Sequence, residues 1–252
     1  MRSAPRAGGT RRAPSKTSNS RPSSSRAGYD APMHTQPVRA FLGLLIAAST
    51  VLVIIGLAVL VVANPVWIAF EQDRAGADVA TGYSREQVRA VTSGILHDLT
   101  IGPPAFDQAV AGLAVLNDRE RAHMLDVRAV FLGFGALSLL AAVTLVNGRL
   151  VSHGADWFRR SVRVGVAVLA AGVVVTGAAV AVAFDQVFEV FHRLFFAGGT
   201  YSFNPATDRL VQLFPDAFWN DTSVVLGVAI LTLCLLFWRW GASRGLGQGA
   251  TR

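Results

Sequence analysis

The sequence predicts an all-α membrane protein: a four-helix transmembrane bundle with a small extracytoplasmic helical subdomain between spans one and two. Three observations predict it. Hydrophobic residues make up 52% of the 252-residue chain and charged residues only 15%. The apolar residues gather in four uncharged blocks, at 40–70, 129–148, 164–184 and 222–238. The first contains, and the others are near, the roughly 20 residues that a helix needs to cross a bilayer, whereas a soluble domain would spread them along a helix or strand period. Basic residues are also partitioned between alternate connecting segments, which is the charge signature of a multi-pass protein.

Taken in order, residues 1–39 are rich in Arg, Ser and Pro. They lack the apolar surface to offset ordering and read as a disordered, basic cytoplasmic tail. Such a tail either gains roughly 1 kcal/mol per basic residue near anionic headgroups or is an inert topogenic flank. The first span, 40–64, stops at Asn64-Pro65, with Trp67 and Phe70 placed at interfacial depth. The extracytoplasmic segment 65–122 follows. Ser84 with Gln87 reads as a capping box that opens a helix through about Leu99, and Ile101-Gly102-Pro103-Pro104 breaks it. A second, apolar helix is expected over 106–116. Asn117, with Glu120 three residues on, caps a further helix that carries His123 into the second span, 123–148.

A cytoplasmic loop, 149–163, leads to the third span with an outer extension, 164–192. Its many small residues between Gly165 and Ala183 let helix backbones approach closely, so it is expected to be the central helix of the bundle. An extracytoplasmic, interfacial segment at 193–221 precedes the fourth span, 222–240. That span is short, with Trp219 anchoring one end and Trp238 and Trp240 the other. Residues 241–252 form a second cytoplasmic tail.

With the N-terminus inside, the cytoplasmic segments hold 15 basic residues against two acids, Asp30 and Asp156. The two outer segments hold 8 basic residues and 14 acids. Every segment then obeys the positive-inside rule. The net charge of +7 is thus a topology signal and does not point to nucleic acid. The single cysteine, Cys234, lies within the fourth block. This excludes an internal disulfide, a cysteine-based zinc site and a thiol nucleophile at the outer face. No G-x-S-x-G motif marks a serine hydrolase.

Residues 185–221 stand apart from the spans on either side. They bring together His192, Arg193, several acids and a series of aromatic rings. His34 lies in the tail and His153 in the cytoplasmic loop, while His97 sits on an outer helix without an assignable role. His123 and His192 fall at the outer ends of consecutive spans. Helices joined by a short turn pack antiparallel, which would make the two rings neighbours. Each has acids at helical spacing: Asp126 follows His123 by three, and Asp185, Glu189 and His192 fall on one face if the third helix continues past Phe184. A carboxylate beside an imidazole fixes its tautomer, as a general base requires. Phe184, Phe188, Phe191 and Phe195 form a separate stripe expected to face lipid or a neighbouring helix.

Gly198-Gly199 can end this helix. Thr207-Asp208 can cap a short amphipathic helix carrying Leu210, Val211, Leu213 and Phe214, lying in the interface plane. Asp208, Phe214, Trp219 and Asp221 are then the candidates to line a lipid access path, and Arg193 is placed to hold an anionic or ester oxygen unless it pairs with Glu189 or Asp208. Two alternatives fit the same residues. One is a non-catalytic structural or interaction protein whose histidines and acids only stabilise the outer bundle. The other is a metal-dependent lipid hydrolase with His123, His192 and a carboxylate as ligands, though no local ligand pair such as H-E-x-x-H supports it.

The run ANPVWIAFEQ after the first span, HMLDVR entering the second, and FHRLFF, GGTYSFNP and DRLVQLFPDAFWND before the last are together distinctive. In these motifs the chain resembles the bacterial integral membrane family that includes the lipoprotein intramolecular transacylases. The resemblance spans the chain apart from the N-terminal tail and much of the first outer segment. It implies a four-helix plasma-membrane enzyme with its site at the outer face and two essential histidines, His123 and His192. It also implies diacylglyceryl-modified lipoproteins and membrane lipid as partners, no cofactor and no metal. The reaction it implies moves an acyl chain from the glycerol of the lipoprotein to the α-amino group of its N-terminal cysteine. Two imidazoles can serve such an aminolysis without a protein nucleophile.

Overall fold

The computed structural model describes residues 35–196 and 200–242. The N-terminal tail with His34, the Gly198-Gly199 helix stop and the C-terminal tail beyond 242 lie outside the described residues. Four helices are long and apolar enough to cross a membrane: α1 (Thr35–Val62), α5 (Asp118–Val151), α6 (Asp156–Phe195) and α8 (Asp216–Ala242). Between α1 and α5 come α2 (Pro65–Ala75), α3 (Ala77–Thr81), α4 (Arg85–Thr100) and a hairpin of β1 (Ala109–Val110) and β2 (Leu113–Ala114). Between α6 and α8 lies α7 (Arg209–Leu213).

Local signals set most of these boundaries. Asn64 accepts the Val66 N–H and Pro65 takes the first position of α2, where a missing N–H costs nothing. Ser84 with Gln87, and Asn117 with Glu120, both form complete capping boxes. The loop between α5 and α6 is much shorter than 149–163: α5 continues to Val151 and α6 begins at Asp156. Likewise α8 starts at Asp216, six residues before the apolar block it carries.

The expected helix over 106–116 is instead the β1–β2 hairpin. Its two-residue turn, Ala111-Gly112, has both residues at positive φ, the turn that matches the twist of paired strands. Buried Asp98 draws the start of the hairpin inward, accepting the Phe106 N–H at 2.9 Å and the Gln108 amide at 2.8 Å. Those bonds to a partner remote in sequence outweigh the local helical pattern.

The bundle is centred on α1, not on the third span. α1 packs against α5, α6 and α8, whereas α5 and α6 touch only sparsely. Glycines explain the arrangement. A Cβ at Gly165 of α6 would meet the Ala47 carbonyl oxygen of α1 at 2.5 Å, and one at Gly56 of α1 would meet Ser138 of α5 at 2.9 Å. The small residues higher on α6, Gly172 and Gly177, meet nothing. Only one end of the small-residue stripe therefore makes a close helix crossing.

Two apolar cores result. One joins Ile54, Leu145, Phe158, Val162, Val166 and Ile230 among the spans. The other holds together the head formed by α2–α4, the hairpin and α7, around Val91, Ile95, Phe106, Leu116, Met124 and Leu213. Gln72 stitches the head, donating to Leu213 O at 2.9 Å and exchanging bonds with Thr92. α6 has 40 residues, about 60 Å of helix against a hydrocarbon core of about 30 Å. The excess carries its last turns to the head. Ala183 (φ −153°, ψ 51°) breaks the helix where that outer portion begins.

Candidate active site

The first turns of α5 and the last turns of α6 meet beneath the segment from Thr200 to Leu213. There the rings of His123 and His192 lie with centroids 6.2 Å apart and planes 28° from parallel. They come together although α5 and α6 are not close-packed neighbours along their lengths. The head and the outer portion of α6 make the approach.

His123 is 6% exposed. It is enclosed by the edges of Phe196 at 4.9 Å and Phe203 at 5.4 Å. Its Nδ1 is buried and has no hydrogen-bond partner among the described residues. A buried ring nitrogen without a partner is costly in a structural histidine, so this atom is left able to take a partner that enters the enclosure. His192 is half-buried against Phe188 (4.1 Å), Tyr201 (5.0 Å) and Phe196 (5.5 Å). Its Nδ1 lies 2.8 Å from the carbonyl oxygen of Phe188. A carbonyl can only accept, so Nδ1 donates, and in the neutral ring the lone pair is left on Nε2.

The tautomer of His192 is therefore set by a backbone carbonyl and not by a carboxylate. Glu189 turns to other partners: its Oε1 accepts from Arg193 Nε at 2.8 Å and from the Tyr201 hydroxyl at 3.0 Å. Asp126 and Asp185 are exposed and form no hydrogen bond or ion pair among the described residues. The i, i+4, i+7 spacing places Asp185, Glu189 and His192 along one helix face, but side-chain length and the nearer i−4 carbonyl decide which bonds form. Among the described residues no group of three His, Cys, Asp or Glu is arranged to hold a metal ion.

The remaining candidates divide. Asp208 is buried and belongs to a knot under the site. It accepts the Asn204 N–H at 2.7 Å, Arg119 at 2.8 Å and the Asn117 amide at 3.1 Å. These donors, the Asn204 N–H foremost, hold its carboxyl below the usual carboxylate range. It stands at the N-cap of α7 without bonding that helix. α7 does not lie free in an interface plane: Leu210 and Leu213 are buried in the head, since five residues cannot form a stable helix unaided. Asp221 pairs with Arg74 of α2. Phe214 and Trp219 belong to an aromatic cluster with Phe218 and Phe188, with ring separations of 5.2–6.2 Å. His97 is remote, beside Asp98 in the head. Of the Phe stripe, Phe188 faces the site, while Phe191 and Phe195 are exposed.

Several residues around the pair carried only a partial advance sign. Glu120 was legible only as a cap, yet it is 1% exposed and also accepts the Leu210 N–H at 2.6 Å through its second oxygen. It thereby bolts α7 to the turn of α5 just before His123. Arg119 lies over the Phe203 ring at 5.0 Å, which holds that ring against His123. Tyr201 and Phe203 occur in the GGTYSFNP motif, a signal that the stretch mattered without saying how. A cleft of about 350 Å³ opens beside the pair, with Phe188, Glu189, Tyr201, Phe203 and Asp216 among its walls.

The family model for the lipoprotein intramolecular transacylase Lit matches residues 44–219, a span that includes both histidines and the whole head. The chain belongs to the lipoprotein intramolecular transacylase family. It is accordingly a multi-pass membrane protein and a transacylase-like enzyme. Its fold is that of the membrane-integral transacylase Lit from Bacillus cereus, with 18% identity, a TM-score of 0.67, and coverage of 82% of this chain and 96% of that one. Two variants of the same Bacillus cereus protein, with one histidine replaced by arginine or by alanine, match with TM-scores of 0.63 and 0.65 at 18% and 17% identity. Each covers 83% of this chain and 94% of that one. No curated relative matches the sequence itself.

Proposed function

We propose that this protein moves an acyl chain from the diacylglyceryl group of a lipoprotein to the α-amino group of its N-terminal cysteine, with His123 and His192 as the acid–base pair. The observation that carries this is the 6.2 Å separation of the two rings in an aromatic enclosure at the mouth of the bundle. One bound ester can bridge that distance. His192, with Nδ1–H bonded to Phe188 O, presents Nε2 as the base.

In the reaction the amine nitrogen attacks the ester carbonyl carbon as His192 Nε2 takes an amine proton. The carbon–oxygen bond to glycerol then breaks. The departing glycerol oxygen receives the proton that His192 took, directly or relayed through His123, and an amide replaces the ester. No protein nucleophile is acylated and the proton count balances. Holding both ends of one lipoprotein terminus in a single site makes the step intramolecular, the largest advantage available to it. The charge distribution supports a site at the extracytoplasmic face with both termini inside. Bacterial plasma membrane is the location that follows.

Mass spectrometry of N-terminal lipopeptides tests the proposal. Cells with the protein should yield lipoprotein with one acyl chain on glycerol and one on the cysteine amine. An acyl pattern identical with and without it would refute the transacylase. His192→Gln and His123→Gln should each lower turnover by about 10²–10⁴-fold, the usual worth of general acid–base catalysis. Full activity in the double variant would favour a structural role for the pair.

A further inference from the structure

We propose that the cleft beside the histidine pair seats the polypeptide end of the substrate and selects a free α-amine by its charge, through Asp216. This rests on the transacylase reading above and names the part of the substrate that the cleft receives.

The cleft shares its walls with the pair. Phe203 touches His123, while Phe188 and Tyr201 touch His192. A group seated there lies next to the reacting centre. Its lining is mixed: aromatic rings and prolines alternate with Glu189, Ser202, Gln212 and Asp216. An acyl chain gains nothing from desolvating carboxylates, and the exposed apolar faces of α5 and α6 already offer it a surface. A peptide backbone, by contrast, presents N–H and C=O groups to bond. At about 350 Å³ the cleft is near the small end of ligand sites, which suits a short peptide segment.

Charge singles out one wall residue. Glu189 is already engaged by Arg193 and Tyr201. Asp216, in the first turn of α8, has no hydrogen bond or ion pair among the described residues. A free α-amine, with its ordinary pKa near 7.7–8.0, is largely ammonium at neutral pH. Ion pairing with Asp216 would bring that ammonium into the cleft, whose walls also touch His192, and it must release one proton to water before the neutral amine attacks. An already acylated amine carries no charge and would lose this contact, so a finished product is released in preference to fresh substrate.

Binding to the full chain in nanodiscs tests this, using a His192→Gln background so that turnover does not intrude. The probes are a diacylglyceryl-cysteinyl peptide with a free amine, the same peptide N-acetylated, and plain diacylglycerol. The free-amine peptide should bind about two- to fivefold more tightly than the acetylated one, the scale of an ion pair at an exposed carboxylate. Asp216→Asn should remove most of that ratio and leave the acetylated peptide unaffected. A ratio that survives undiminished in this variant overturns the role of Asp216. Ala80→Trp fills the cleft from α3 and should weaken both peptides but not diacylglycerol; unaltered peptide binding overturns the seat itself. If neither peptide binds the parent protein better than diacylglycerol does, the transacylase reading falls as well.

Discussion

At the scale of single residues, Glu120 shows how much one carboxylate can organise. It closes the capping box of α5 through the Asn117 N–H at 2.7 Å and holds the N-terminus of α7 through Leu210. The Leu210 bond is buried and the Asn117 bond partly so; a charged acceptor is worth about 1.5–3 kcal/mol per bond in the interior, where an orphaned donor is costly. Glu120→Ala should therefore lower stability by about 3 kcal/mol, read as a drop in detergent-solubilised Tm, and should loosen His123 with it. Glu120→Gln keeps the shape and one acceptor oxygen and should recover part of the loss. Asp208 makes a separate, pH-dependent prediction. Its carboxyl titrates lower in the folded protein than in the unfolded chain, so its contribution is complete above the unfolded value of about 3.9 and is lost as pH falls through the folded value. The Tm deficit of Asp208→Asn should accordingly be constant above about pH 5 and shrink in acid below pH 4. A deficit that grows in acid would contradict that assignment.

At the scale of elements, close packing of α1 decides the bundle. Gly165→Ala places a methyl 2.5 Å from a backbone oxygen that cannot rotate away. Overpacking of this kind costs about 1–3 kcal/mol. Gly177→Ala, on the same helix with open space around it, should be neutral or gain up to about 1 kcal/mol from helix propensity. Thermal unfolding of the two variants separates the α1-centred bundle from one built around the whole small-residue stripe, in which both would destabilise. The break at Ala183 belongs to this scale too. It turns the outer part of α6, residues 184–195, relative to the span and so aims His192 at α5 rather than along the helix.

At the scale of the whole molecule, orientation is the open consequence. Cysteine substitution reads it directly, because the native Cys234 is 4% exposed and should stay silent. Ala111→Cys, at the hairpin turn in the head, should react with a membrane-impermeant maleimide in intact cells. His153→Cys, in the turn between α5 and α6, should react only after permeabilisation. The reverse pattern would invert the topology and move the histidine pair to the cytoplasmic face. The head also has its own buried core, distinct from that of the spans. Its core includes Met124, so the head packs directly on the first turns of α5 beside His123.

The sequence by itself determined the spans, the caps and the two histidines proposed as the acid–base pair. Those features are local: an uncharged run of about 20 residues has one low-energy solvent, and a capping box is completed within four positions. It also marked out the 185–221 stretch by composition alone. What lay beyond it were the partners chosen across space. The spacing of Asp126, Asp185 and Glu189 suggested carboxylates for both rings, but a backbone carbonyl one turn away reached His192 first. The segment 106–116 reads as a helix until Asp98, eight residues upstream of Phe106, captures it. α1 became the central helix because its backbone accepts Gly165 of one neighbour and its own Gly56 accepts Ser138 of another. Side-chain periodicity specifies which face a residue lies on; which neighbour meets that face is settled only when the helices dock, because packing and burial of polar groups depend on atoms far apart in the chain.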